Sequence, residues 1–259
     1  MQISKLLPQP GEENIFSQTK TAFTRPLLTT LETTELLASC GPLGPDPSSE
    51  HFIKRTKSIA YVMKIAGQWF QLKADYFSQP EQYNDFSGGY KRVYQELPST
   101  FLGCLATQKV LNTFQLAYEI PERELVLVQI QTSHIDHENM HQCLTGQGIH
   151  SDGADRAILV CLQRDNITHA ENALYCDLEG QQPMLSPFVL QEGQAMLWHD
   201  NQVFHWVAPA RLDCPHRSGR RTVLIAHYPA FHYLSGQTNP NNRLGTHLVS
   251  ANKRLRLSR

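Results

Sequence analysis

No run of this sequence stays apolar long enough to cross a membrane, and its start, MQISKLLPQPGEEN, lacks the apolar centre of a secretion signal. Its six cysteines (Cys40, Cys104, Cys143, Cys161, Cys176 and Cys214) include no C-x-x-C pair, which removes the usual zinc-ribbon and dithiol-redox spacings. Cys161 and Cys176 lie in apolar runs, where a thiol packs as a small hydrophobe. These absences favour a reducing, cytoplasmic compartment. A formal net charge of −1 offers no broad field to attract nucleic acid or an anionic membrane. The basic end, NKRLRLSR, is short and reads as a solvated tail. No fixed repeat is visible.

What is present is globular: 259 residues, 41% hydrophobic and 18% charged. One domain is expected, with a mainly helical layer over 1–120, an all-β core over 121–235 and an extension over 236–259. A helix is predicted over Pro26–Cys40 with Pro26 in its first turn behind Thr24. Phe52, Ile59, Val62, Met63, Ala66, Trp69 and Phe70 recur near helical spacing and predict a second over Glu50–Phe70. A third is expected over Ser99–Phe114. Leu72–Leu97 carries no clear pattern. Past Pro121 the texture changes to short β-branched and apolar runs: ELVLVQIQ, AILVCLQ, ALYCDL, SPFVL, AMLWHD, VFHWVA and TVLIAHY. Turn residues separate them, which predicts a sandwich or barrel.

Three metal-site patterns crowd His134–Asp155. His137, Glu138 and His141 spell the H-E-x-x-H of zinc peptidases, which needs a helix to put both imidazoles on one face. Here the motif lies between a strand and the turn-rich TGQG, so a polar loop is the preferred reading. His134 and Asp136 form an H-x-D with no returning strand directly behind it. His150 and Asp152 form a second H-x-D, and in an extended chain these two share a face. Gly153 leaves backbone room, and AILVCLQ follows as a buried strand. His205 in VFHWVA would complete two imidazoles and a carboxylate, the set that binds Fe(II) and leaves open positions for oxygen chemistry. The competing reading of His205 is a packed core histidine between Phe204 and Trp206. Arg221, Val223 and Ile225 share one face of the last strong strand. Arg221 could there present a bidentate fork to the far carboxylate of 2-oxoglutarate, unless it is an exposed strand-end arginine.

GIHSDGADRAILVCLQRDNITHAENALYCD, then GQAMLWHDNQVFHWVAPA, then RTVLIAHY resembles the bacterial 2-oxoglutarate/Fe(II) dioxygenase family that includes free L-amino-acid hydroxylases such as isoleucine 4-hydroxylase. The likeness covers about Gly148–Tyr228. It implies a mostly β fold with N-terminal helices on a double-stranded β-helix (jelly-roll, cupin-like) core. It also implies His150, Asp152 and His205 as catalytic iron ligands, Arg221 as the 2-oxoglutarate anchor, and a hydroxylase using O2 on a small molecule, a free L-amino acid first. Asn166, Glu171 and Asp200 match further family positions. Departures are Gln147 at an acidic position, His169-Ala170 at a Gly-Gly pair, and Gln131 where relatives carry arginine; Gln131 is therefore expected to touch 2-oxoglutarate or substrate. Arg92, Asp155 and Glu171 are candidate contacts for an amino acid's charges. Two other classes remain open: a zinc hydrolase using HENMH, and a non-catalytic jelly-roll binding module.

Overall fold

A computed structural model describes residues 22–48, 54–81, 83–84, 88–145, 148–184 and 186–235. The segment before Ala22, Phe52, Gln147 and the expected extension over 236–259 with its basic end lie outside the described residues. The first half contains β1 (Ala22–Pro26), α1 (Thr30–Ser39), β2 (Arg55–Ile65), β3 (Gln68–Leu72), β4 (Gln95–Glu96), α2 (Ser99–Gly103) and α3 (Leu105–Ala117). The second contains β5 (Leu125–Ile135), β6 (Arg156–Asp165), β7 (Ile167–His169), β8 (Glu171–Tyr175), β9 (Phe188–Val189) and β10 (Gln194–Trp198). It closes with β11 (Phe204–Val207), β12 (Ala210–Leu212), β13 (Gly219–Tyr228) and α4 (Phe231–Ser235).

A large sheet runs in the order β1-β10-β6-β13-β5-β2-β3, with β4 paired alongside β2. A small sheet, β11-β8-β9, and the ribbon β12-β7 make the opposite side of a jelly roll. Strand alternation divides the large sheet's side chains between two cores. Val126, Val128 and Ile130 of β5, with Val160 of β6 and Leu224 of β13, pack outward against Leu36, Val110, Leu111 and Phe114 of the helices. Leu159 and Cys161 of β6 and Val223 of β13 face inward, toward Leu174 of the small sheet.

The helical layer is thinner than its sequence suggests. Pro26 ends β1, and α1 begins four residues later behind Thr29. The Thr29 hydroxyl accepts from the Glu32 N–H while the Glu32 carboxylate accepts from the Thr29 N–H, a reciprocal cap that fixes the start. The predicted helix over Glu50–Phe70 is a hairpin instead. Ala66 and Gly67, at φ 47° and 81°, turn β2 directly into β3, and the Glu122 carboxylate accepts both of their N–H groups. β2 is buried on both faces in mid-strand, so Ile59, Ala60, Tyr61 and Val62 form a run whose spacing fits a helix equally well. The third helix is two, α2 and α3, separated at the extended Cys104.

Candidate metal centre

The two histidines of the expected triad are backbone partners. His150 N–H donates to the His205 carbonyl at 3.1 Å and His205 N–H returns the bond at 2.8 Å. Residues paired this way stand about 5.5 Å apart at Cα, and their rings here approach to 4.1 Å between centroids. Asp152 reaches the same point. Its Oδ1 lies 3.7 Å from His150 Nε2 and its Oδ2 lies 3.5 Å from His205 Nε2. One ligand atom from each residue falls within 4.8 Å of the others, and no other His/Cys/Asp/Glu cluster of this kind occurs among the described residues.

Surrounding groups aim these ligands. The Gly148 carbonyl, 3.0 Å from His150 Nδ1, can only accept, so Nδ1 carries the proton and Nε2 is free to ligate. His227 Nδ1 accepts from the Gln129 amide at 3.1 Å, which leaves a proton on Nε2 to donate to Asp152 Oδ2 at 2.9 Å. Burial alone would raise the Asp152 carboxyl. His227 first, then His150 and His205, whose imidazoles converge on it, outweigh burial and hold Asp152 well below the usual carboxylate range. Burial would likewise lower His205, but its contact with Asp200 and the charges of Asp152 and Asp200 raise it.

Asp200 ties the triad to the fold. It is fully buried; its Oδ2 accepts from Ser151 Oγ and the N–H groups of Gly153 and Ala154, and its Oδ1 accepts from Trp198 Nε1. The loop carrying His150 and Asp152 is thereby clamped to the end of β10, and Asp200 Oδ1 also lies 3.6 Å from His205 Nδ1. Gly153 sits at φ 92°, and a Cβ there would stand 2.7 Å from the Tyr83 ring, so glycine is required on both counts.

The cluster lies in a cleft with about 870 Å³ of empty space counted to its open mouth. Alternation brings Gln129, Gln131 and Ser133 of β5 and Arg221, Val223, Ile225 and His227 of β13 to its wall. Arg221 is only 5% exposed. Its Nη2 donates to Asn172 Oδ1 at 3.2 Å, its Nε has no hydrogen-bond partner, and no carboxylate pairs with it among the described residues. Burial pulls the guanidinium pKa down. A buried arginine short of acceptors, in the same cleft as a His/Asp/His set, fits an anionic chelator of the metal. Expected Arg221 and Gln131 thus stand in one cleft with the triad. Of the candidate charge contacts, Arg92 lines the cleft; Asp155 and Glu171 do not, and Glu171 instead faces His169 Nδ1 at 3.0 Å.

The H-E-x-x-H motif has a different job. His137, Glu138 and His141 occupy an exposed turn after β5, and His137 Nε2 bonds the Pro215 carbonyl. Asp136 Oδ1 accepts the N–H groups of Glu138 and Asn139, and Asn139 Nδ2 donates to the His134 carbonyl, so the segment is a side-chain-built turn. His134 bonds Thr56 Oγ1 rather than a metal partner. His169 and Ala170, at φ 60° and 59°, keep the left-handed backbone that a Gly-Gly pair would take, and Asn166 bonds Cys214 and Arg217 across the neighbouring loop. Sequence reasoning misses His227, Gln129 and Lys57; the available signal for the first two is that His227 shares a strand face with Arg221 and Gln129 with Gln131, whereas the strand of Lys57 carries no chosen residue.

No curated protein matches the sequence. Among solved structures, a bsmA homolog from Methylobium petroleophilum PM1 superposes with TM-score 0.62 at 19% identity, covering 82% of this chain and 90% of that one. IDO from Bacillus thuringiensis gives 0.62 at 14%, covering 83% and 97%. A 2OG-Fe(II) oxygenase family oxidoreductase from Burkholderia pseudomallei gives 0.51 at 13%, covering 90% and 98%. At these identities the likeness is one of fold, and it agrees with the jelly roll described above. The profile of the 2OG-Fe dioxygenase family matches residues 38–227, from α1 through His227 and so across the whole His150–Asp152–His205 centre, and the chain belongs to that family of Fe(II)- and 2-oxoglutarate-dependent oxidoreductases.

Proposed function

We propose that His150, Asp152 and His205 hold Fe(II), that Arg221 with Gln131 receives the far carboxylate of 2-oxoglutarate, and that the enzyme hydroxylates an unactivated C–H bond of a free L-amino acid. The observation that carries this reading is the shared cleft: the triad and a buried arginine short of acceptors line one cavity. When bound, iron and 2-oxoglutarate couple oxidative decarboxylation to transfer of one oxygen atom from O2 to the substrate. The chain's own residues supply position and charge. His227 holds the Asp152 carboxylate ionised and oriented, Gly148 sets the His150 tautomer, and Arg221 fixes one end of the co-substrate so that the other meets the metal. Substrate C–H selection then falls to the remaining wall of the cleft.

In this reading the whole chain is one domain working in the cytoplasm on a small molecule, with no nucleic-acid or membrane partner. No helix among the described residues is long and apolar enough to cross a membrane. The test is succinate release from the full chain with Fe(II), 2-oxoglutarate and a panel of free L-amino acids, with product mass recorded. One substrate gaining one oxygen atom is expected, with turnover lost in His150→Ala and His205→Ala and kept in His137→Ala. Zn(II)-supported hydrolysis lost in His137→Ala would favour the zinc-hydrolase alternative. No succinate under any condition would favour a non-catalytic binding module.

A further inference from the structure

The cleft carries more positive charge than the metal and co-substrate use. Four cations line it, Arg55, Lys57, Arg92 and Arg221, against one carboxylate among the described residues, Asp152. Three of the four have visible partners. Arg55 pairs with Asp46 at 3.0 Å and donates to Ser48. Arg92 donates to Gln79 and Tyr94 and stacks on Phe77, 4.6 Å from the ring centre. Arg221 donates to Asn172, on the small sheet. The ammonium of Lys57 has no hydrogen-bond or ion-pair partner among the described residues. It sits over the rings of Tyr94 and Phe77, at 5.0 and 5.7 Å. Ring faces stabilise a cation but accept little hydrogen bonding, so its three N–H donors remain to be satisfied.

We infer that Lys57 receives the carboxylate of the substrate and makes the enzyme select free acids over their neutral derivatives. This rests on the hydroxylase reading above. Lys57 is placed for it by the register of the large sheet. It pairs with Gln131 on β5, which pairs in turn with Val223 on β13, two residues along the strand from Arg221. Two strand spacings and a two-residue offset put the Lys57 and Arg221 backbones roughly 12 Å apart. Arg221 turns further away, toward Asn172. The two cations therefore serve two different anions. Lys57 and the metal ligand Asp152 line the same cleft, so a carboxylate held on the Lys57 ammonium leaves the rest of a small molecule on the side of the metal. The flanking Phe77, Tyr94 and Arg92 keep that carboxylate in an enclosed, cation-rich corner, where a charge-assisted bond is strongest.

The test compares the twenty free L-amino acids with their primary carboxamides as probes, on the full-length wild type, Lys57→Met, Lys57→Gln and Lys57→Arg. Succinate release with Fe(II) and 2-oxoglutarate alone identifies which variants are folded and loaded. In the wild type the accepted acid should exceed its amide in kcat/KM by roughly 10- to 100-fold, the range for one charged hydrogen bond. That ratio should collapse toward one in Lys57→Met and Lys57→Gln through a raised KM for the acid, and return in part in Lys57→Arg. An unchanged ratio in folded, active Lys57→Met and Lys57→Gln overturns the Lys57 assignment alone. A loss expressed instead as weaker saturation by the co-substrate gives Lys57 to 2-oxoglutarate and also overturns it. Substrate-free succinate release with no amino acid accepted overturns the amino-acid reading and this inference together.

Discussion

Replacing Arg221 by methionine should weaken 2-oxoglutarate binding while leaving the ligand-free protein at least as stable. Arg221 is 5% exposed, carries an unpartnered Nε and has one visible acceptor, Asn172. In the proposed binary state the far carboxylate would complete a guanidinium pair. Removing the cation strands that carboxylate in a buried site at a cost of about 3–4 kcal/mol, a loss of several hundred-fold in affinity. In the ligand-free state the sign reverses. A buried charge without a counter-ion is costly, and exchanging such groups for apolar side chains of similar volume is neutral to stabilising by up to about 4 kcal/mol. Against this stands the lost bond to Asn172, about 1 kcal/mol. Titration calorimetry of 2-oxoglutarate into the Mn(II)-loaded protein should show the first effect, and urea unfolding of the metal-free protein the second. Unaltered 2-oxoglutarate affinity in Arg221→Met would refute the anchor assignment, and a large loss of ligand-free stability would show that Arg221 is a structural residue.

Three further outcomes follow from the same geometry. His227→Phe removes the donor to Asp152 Oδ2 and should weaken Fe(II) binding roughly 10- to 100-fold, read by anaerobic competition with a chelator; unchanged affinity would remove His227 from the site. Asp200→Asn puts an amide where three donors need an acceptor, so unfolding free energy should fall by about 3 kcal/mol or more in chemical denaturation, and a near-neutral change would refute the clamp. Lys57 has its pKa lowered from 10.5 to about 8, chiefly by burial, with Asp46 and Asp152 opposing and Arg55 and Arg92 assisting. The unfolded chain then binds more protons between those values, so the burden of burying this charge is full below pH 8 and disappears above 10.5. Ligand-free Lys57→Met should accordingly be more stable than wild type at pH 7 by about 2 kcal/mol, allowing for the partial exposure of Lys57, with the difference closing as pH rises through that window. A pH-independent difference would refute the shift.

How much of this is legible in the sequence depends on whether the signal is local. His150 and Asp152 share a face because period two is a property of three consecutive residues, and Arg221, Val223 and Ile225 line the cleft for the same reason. The clamp by Asp200 and the donor from His227 depend on contacts across 47 and 75 positions of chain, which no local pattern encodes. Lys57 escapes for a different reason. Its strand reads as a helix, because β2 is buried on both faces in mid-strand and a run with no alternation has no period to betray it. Gly67 behind Ala66 is the turn signal that corrects this. Leu72–Leu97, which has no readable pattern, supplies Phe77, Gln79 and Arg92 to the cleft wall. H-E-x-x-H misleads in the opposite direction: its spacing is local and real, but the Asp136–Asn139 turn denies it the helix that would make the spacing mean anything.

The pairing of His150 with His205 decides how metal affinity arises. Because the two ligands exchange both backbone bonds, their separation is set by strand geometry, and Asp200 ties the third ligand's loop to the end of β10 beside them. The ligand set is therefore assembled by the fold before any ion arrives, and metal binding need not supply folding energy as it does in a zinc finger. Binding instead exchanges one set of charges for another: an ionised Asp152 gripped by His227, and a His205 whose proton affinity is raised by two carboxylates and must be given up to ligate. The ion should consequently stabilise the protein only by mass action, in proportion to the logarithm of its concentration over its Kd, with the same cooperative unfolding unit with and without it. A chain that gained secondary structure on adding Fe(II) would contradict this, because it would place the assembly of the strand pair after the metal rather than before it.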